Sequence, residues 1–262
     1  LHRRRHSFPT RRSSDLSAAV VDNCARASVW HLTYPFSETL ANGTVLEKHA
    51  LCSAFALAFA PARLGGSGAT AVVTAAHCLG RLLPGSSATL KGVGGLPPLA
   101  CTVAATFTAP DDAAVLDCLG VAGLGGLELA PAGVHSLLRT PVGIAGFASD
   151  AYTAQSERHL PDQAVALNVD FAHISGVAGP LVDGTGSVCV TSGVPIGVSS
   201  GFSLPGVRPL GFVDRRVTYG MSGGPVLDLA CGVVGIAHGR SCAAGAFTSL
   251  ERVVAFLAAR SA

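Results

Sequence analysis

The sequence predicts an all-β protein of two packed β-barrels that ends in one α-helix. Three observations carry this. Short apolar runs of strand length recur along the chain, tight-turn residues separate them, and the last stretch switches to helical spacing. Of 262 residues, 32 are glycine and 15 proline, which suits many short elements joined by turns. With 49% hydrophobic and 13% charged residues the chain can fill a sizeable core, which excludes a chain disordered throughout. A net charge of +2 is too small to point to nucleic acid or an anionic membrane. No apolar stretch reaches membrane-spanning length, so no membrane span is expected.

Residues 1–16 are set apart. The chain starts with leucine, and "HSFPTRRSSDL" (residues 6–16) resembles the translation of a short-read sequencing adaptor. These residues are expected to be an artefactual or disordered N-terminus, the alternative being a genuine Arg/Ser-rich tail. A signal peptide is expected to have been lost upstream. From Ser17 onward, "ATAVVTAAHC", "ACTVAATFT", "AAVLDCLGV", "GSVCVTSGV", "PVLDLACGVVGIAHG" and "GAFTSL" read as strands. "RLGGSG", "LPGSS", "GGLPP", "VDGTG" and "LPGVRP" read as the turns between them. This many strands suit two barrels better than one sandwich. In "SLERVVAFLAARSA" the apolar Val253, Val254, Phe256 and Leu257 recur at helical spacing behind the candidate cap Ser249. The expected domains are 17–140 and 141–262.

Three stretches carry chemistry. "VVTAAHC" leaves His77 at the tip of a strand. "PDDAAVLDC" leaves Asp112 where a loop enters a buried strand. "TYGMSGGPVLD" sets Ser222 in a sharp glycine turn. Serine hydrolysis needs a hydroxyl, a base, a carboxylate that orients the base, and amide donors for the oxyanion. Each stretch has a bland reading alone: a structural histidine, a strand-entry aspartate, a plain turn.

Together, in this order, they resemble the chymotrypsin/trypsin-like serine peptidases. There TAAHC holds the base, D-x-A-x-L the orienting acid, and G-x-SGGP the nucleophile and oxyanion hole. "PVGIAGFAS" resembles the start of that family's second barrel, and "GAFTSLERVVAFL" its last strand and helix. The resemblance spans Ser17 to Ala262 and is weak between Asp150 and Leu210. It implies two Greek-key barrels of the chymotrypsin-like type, one carrying His77 and Asp112 and the other Ser222. It also implies a serine endopeptidase in which His77, Asp112 and Ser222 are catalytic and the N–H groups of Gly220 and Ser222 form the oxyanion hole. Asp111 is a rival for Asp112, one place off the pattern. No metal and no cofactor are implied. The implied partners are protein or peptide substrates, with no nucleic acid, and a monomer is expected.

Met221 departs from the trypsin-like branch, whose aspartate here pairs with a newly cut N-terminal amine. The chain resembles instead the bacterial and chaperone-type branch. Asp214 sits upstream of the serine, as the aspartate of that branch's T-D-A stretch does. For the specificity pocket, ungapped counting brings Arg216 to the place where enzymes with basic specificity carry an aspartate. Thr218, Ala237, His238 and Gly239 are the other substrate-binding candidates. Arg216, with help from His238, implies acidic substrate side chains. The alternatives are an arginine turned to solvent and a small apolar preference.

Eight cysteines without a CxxC motif suit disulfides and an oxidising compartment, which implies a secreted or periplasmic protein. The resemblance implies Cys52 with Cys78. Cys101 with Cys118 and Cys231 with Cys242 are candidate local pairs, and elimination leaves Cys24 with Cys189; connectivity beyond the first pair stays open. His31, His49, His135, His159 and His173 show no ligand spacing, and Trp30 is expected in the core. Two other functional readings remain: a catalytically inactive homologue acting as a binding module, and a chaperone-protease subunit.

Overall fold

The computed structural model describes the chain apart from residues 1–10, 34, 50, 60–68, 81, 93–95, 109, 122–124, 135–136, 149–165, 183–185, 192–193, 200–209, 216, 219, 242–243 and 261–262. Helix α1 (Arg11–Ser28) is followed by β1 (Val29–Thr33), β2 (Pro35–Thr39), β3 (Val45–His49), β4 (Cys52–Phe59), β5 (Ala69–Thr74), β6 (Ser87–Lys91), β7 (Leu99–Phe107) and β8 (Ala113–Cys118). Then come β9 (Pro141–Ala148), β10 (Ala166–Val182), β11 (Gly186–Thr191), β12 (Val194–Ser199), β13 (Gly211–Val213), β14 (Pro225–Asp228), β15 (Val233–Ser241), β16 (Ala244–Thr248) and helix α2 (Glu251–Arg260).

The predicted pair of barrels is present. The first closes in the order β1-β4-β5-β8-β7-β6, with β2-β3 as a separate hairpin. Apolar and polar residues do not alternate strictly along its strands, and burial shows why. In β6 and β7 alternate residues are buried, whereas the first four residues of β8 are all buried, where α2 packs against that strand. Trp30 is fully buried as expected, and its indole N–H donates to the Pro97 carbonyl at 3.1 Å. The second barrel is the ring β9-β10-β13-β16-β15-β14, closed by β10 pairing with β9. Strand β10, 17 residues long, pairs with β9 along its first half, then with β13 and β11. Thus the stretch with the weakest sequence signal supplies the ladder β10-β11-β12.

Helix α1 was not predicted, and it begins inside the segment set apart in the sequence. Val21, Ala25 and Ser28 form one buried stripe along it. The helix packs on β9 and β10 of the second barrel, where Gly143 leaves room: a Cβ there would come 2.7 Å from Val21 Cγ1. Helix α2 meets the prediction. Ser249 Oγ accepts the N–H of Glu251 at 3.0 Å, and Val253 and Leu257 are buried. Although it follows the second barrel, α2 packs on β8 of the first. Arg252 pairs with Asp111 at 3.3 Å, Arg260 with Asp117 at 2.8 Å, and the rings of Phe107 and Phe256 lie 5.8 Å apart. Among the described residues no helix is long and apolar enough to cross a membrane.

Among the described residues three disulfides are formed. Cys52–Cys78 and Cys101–Cys118 are as expected; the latter joins directly paired residues of β7 and β8. The other two expectations are corrected. Cys24 bonds to Cys231, so neither Cys24–Cys189 nor Cys231–Cys242 forms. The reason is the docking of α1, which brings Cys24 to the turn after β14. Cys242 lies outside the described residues.

Candidate active site

His77 sits on a short 3-10 turn, Ala76–Leu79, that ends β5. Asp112 precedes β8 with a left-handed φ of 48°, a conformation aspartate tolerates better than most residues. Its carboxylate takes hold of His77 twice: Oδ1 accepts the backbone N–H at 2.8 Å, and Oδ2 lies 2.7 Å from ring Nδ1. Asp112 is buried, whereas a quarter of the His77 side chain is exposed. The carboxylate therefore anchors the imidazole while the ring keeps access to solvent. Asp111 instead pairs with Arg252 of α2.

Ser222 occupies the turn before β14. Gly223 has φ +83°, and a side chain there would run into the Ser53 carbonyl and Thr74 Oγ1. Only glycine fits this sharp bend. The turn is clamped by β15: Gly223 N–H donates to the Ala237 carbonyl, and Ala237 N–H to the Gly224 carbonyl, both at 2.8 Å. Ser222 Oγ donates to the carbonyl of His238 at 3.0 Å. A register shift between Ala237 and Gly239 explains how the neighbouring carbonyls of Ala237 and His238 both face this turn, since a bulge breaks the alternation of a regular strand. Among the described residues, no protein acceptor takes the N–H of Gly220 or of Ser222.

His238 is where sequence reasoning missed most. Expected along the substrate cleft, its ring instead turns inward, fully buried, and Nδ1 bonds Asp112 Oδ2. The rings of His77 and His238 meet edge to face, with centroids 5.1 Å apart. Burial alone would raise the Asp112 pKa, but hydrogen bonds from His238 and His77, and their charge when protonated, hold it well below the ordinary carboxylate value. Burial lowers the His238 pKa, only partly opposed by Asp112. Donor atoms of His77, Asp112 and His238 lie within 4.8 Å of one another. Each ring already bonds the carboxylate, an arrangement suited to holding protons rather than a cation.

The whole chain can be compared with solved structures. The active form of the Rv3671c protease from M. tuberculosis matches over 98% of this chain and 91% of its own, at 20% identity and a TM-score of 0.52. An inactive form of that protease matches over 98% of both chains, at 18% identity and the same TM-score. The HtrA-type protease AlgW, solved with a decapeptide, matches over 90% of this chain and 64% of its own, at 15% identity and a TM-score of 0.55. This is the chymotrypsin-like protease fold. No family model and no curated protein matches the sequence.

Within the chymotrypsin-like fold, His77 and Asp112 lie on the first barrel and Ser222 on the second. Thr218 is exposed, Ala237 buried and Gly239 half-buried, while Arg216 lies outside the described residues. Its neighbour Arg215 reaches Asp170 at 3.3 Å. Asp214 accepts the backbone N–H of His173 at 2.7 Å, and its other oxygen lies 3.3 Å from the His173 ring.

Proposed function

We propose that the protein is a serine endopeptidase acting through His77, Asp112 and Ser222. The observation that carries the reading is the two-point hold of Asp112 on His77, with Oδ2 2.7 Å from Nδ1. It fixes the tautomer that leaves Nε2 free to accept a proton. In the proposed reaction Ser222 Oγ turns from the His238 carbonyl to His77 Nε2, gives up its proton and attacks the scissile carbonyl. His77 then protonates the leaving amine, and water, activated by the same ring, resolves the acyl-enzyme. The N–H groups of Gly220 and Ser222 stabilise the oxyanion. His77 and Asp112 come from the first barrel and Ser222 from the second, which supports a reading in which a peptide is held between the two. The disulfides among the described residues favour secretion or a periplasmic location.

One observation favours a second reading, an inactive binding module: the Ser222 hydroxyl is engaged by a backbone carbonyl rather than by the imidazole. A fluorophosphonate probe separates the two. Covalent labelling of the wild type and none of Ser222→Ala supports the peptidase; an unlabelled, well-folded wild type overturns it. Cleavage of a peptide library then tests acidic against small apolar preference.

A further inference from the structure

Ser53, on β4, lies outside the constellation read from the sequence, yet it ties the first barrel to the turn that carries Ser222. It is fully buried. Its hydroxyl donates to the Gly220 carbonyl at 2.7 Å and accepts the N–H of Phe147, on β9, at 2.8 Å. Its own N–H donates to the Ser222 carbonyl at 2.8 Å, and its carbonyl accepts from Thr74 Oγ1 at 2.7 Å.

These bonds fix peptide planes. The Gly220 carbonyl and the Met221 N–H belong to one planar unit, and the latter donates to the Thr218 carbonyl at 3.1 Å. The Ser222 carbonyl and the Gly223 N–H belong to another, whose N–H donates to the Ala237 carbonyl at 2.8 Å. Between them, the Met221 carbonyl accepts from Gly224 at 3.0 Å. Three successive planes are thereby set, two of them through Ser53. Met221, buried and apolar, brings no charge or hydrogen-bonding side chain to the turn.

We propose that Ser53 is a positioning residue for the oxyanion-binding N–H groups, acting from the opposite barrel; this rests on the peptidase reading above. Gly220 is buried with φ +90°. Without the Ser53 hydroxyl its carbonyl is left desolvated and without a donor, so rotation of that peptide toward water becomes favourable. The rotation changes the backbone torsions on both sides and misaims the amides that must converge on the developing charge.

The test is Ser53→Ala, with active sites titrated by the fluorophosphonate and kcat and KM measured per titrated site. Loss of one oxyanion donor costs on the order of 10²–10³ in turnover, so misaiming is expected to lower kcat by at least about tenfold with KM little changed. Ser53→Thr, which keeps the hydroxyl, is expected to restore kcat. Thr74→Val removes a buried hydrogen bond to the same serine without touching Gly220, and is expected to lower thermal stability but not kcat. Equal kcat losses in Ser53→Ala and Thr74→Val, or an unchanged kcat in Ser53→Ala, overturn the proposal. If Ser53→Ala yields no folded protein, a crystal structure of the wild-type phosphonyl adduct decides. The Gly220 carbonyl on Ser53 Oγ, with the phosphonyl oxygen on the two N–H groups, supports the proposal, and a flipped peptide refutes it. An unlabelled wild type sinks the peptidase reading itself; a labelled wild type with an unaffected Ser53→Ala sinks this inference alone.

Discussion

The ring of His238 bonds the carboxylate of Asp112, and neither group reaches solvent to any extent. One acid thus serves two imidazoles, and only the His77 ring is open to a reactant. The buried ring helps keep the acid ionised. His238→Phe removes that donor, so the Asp112 pKa is expected to rise toward the ordinary carboxylate value, read by NMR titration of its carboxyl carbon. Left with one fewer partner, the buried carboxylate is expected to cost about 1–3 kcal/mol of stability, read from urea denaturation.

Stability should fall on acidification. The folded pKa of His238 lies below its ordinary 6.5 and that of Asp112 below its ordinary 3.8. In both cases the unfolded chain binds more protons, so stability is greatest above the unfolded values and is lost as pH falls. The His238 share begins to disappear below about 6.5. Urea midpoints at pH 8, 6 and 5 should decline, and decline less in His238→Gln. Trp30, the single tryptophan and fully buried, gives the fluorescence signal.

Asp112→Asn keeps the size of the side chain and tolerates the left-handed backbone, but presents His77 with the wrong partner for its tautomer. The expected loss in kcat is about 10³–10⁴, with the fold retained by circular dichroism. A loss below about tenfold would move the orienting role elsewhere.

Removing the Cys24–Cys231 bond by the double change Cys24→Ser and Cys231→Ser is expected to cost about 2–4 kcal/mol, since it closes a long loop. It should also free α1 to lift from β9, seen as earlier cleavage within the helix by an added protease. Unchanged proteolysis would mean that the Val21 stripe alone holds the helix.

Met221 is buried and uncharged, so its side chain cannot pair with a chain-terminal amine to order this turn. Forms carrying extra N-terminal residues are expected to hydrolyse peptides as fast as the untagged chain. Activity that appears only after trimming to one defined end contradicts this.

The features legible in the sequence were local. His77, Asp112 and Ser222 each lie in a short motif whose glycines and apolar neighbours dictate its own turn or strand. Cys101 and Cys118 sit on adjacent strands of a hairpin, and Ser249 caps α2 as its position suggests. What escaped depends on contacts between distant elements. The Cys24–Cys231 bond follows from helix docking, which a strand-by-strand reading does not contain. The inward turn of His238 follows from a bulge, which shifts side-chain alternation by one residue. Ser53 had a signal, a lone hydroxyl in the apolar run "CSAFALAF", but its partners come from segments remote in sequence.

The two helices exchange places. The helix that precedes the first barrel lies on the second, and the helix that follows the second lies on the first. The molecule is laced crosswise, so drawing the barrels apart means peeling a helix from one or the other. Hinged separation of the two barrels is therefore disfavoured. On the peptidase reading proposed above, adaptation to different peptides would then fall to local movement of loops rather than of the barrels.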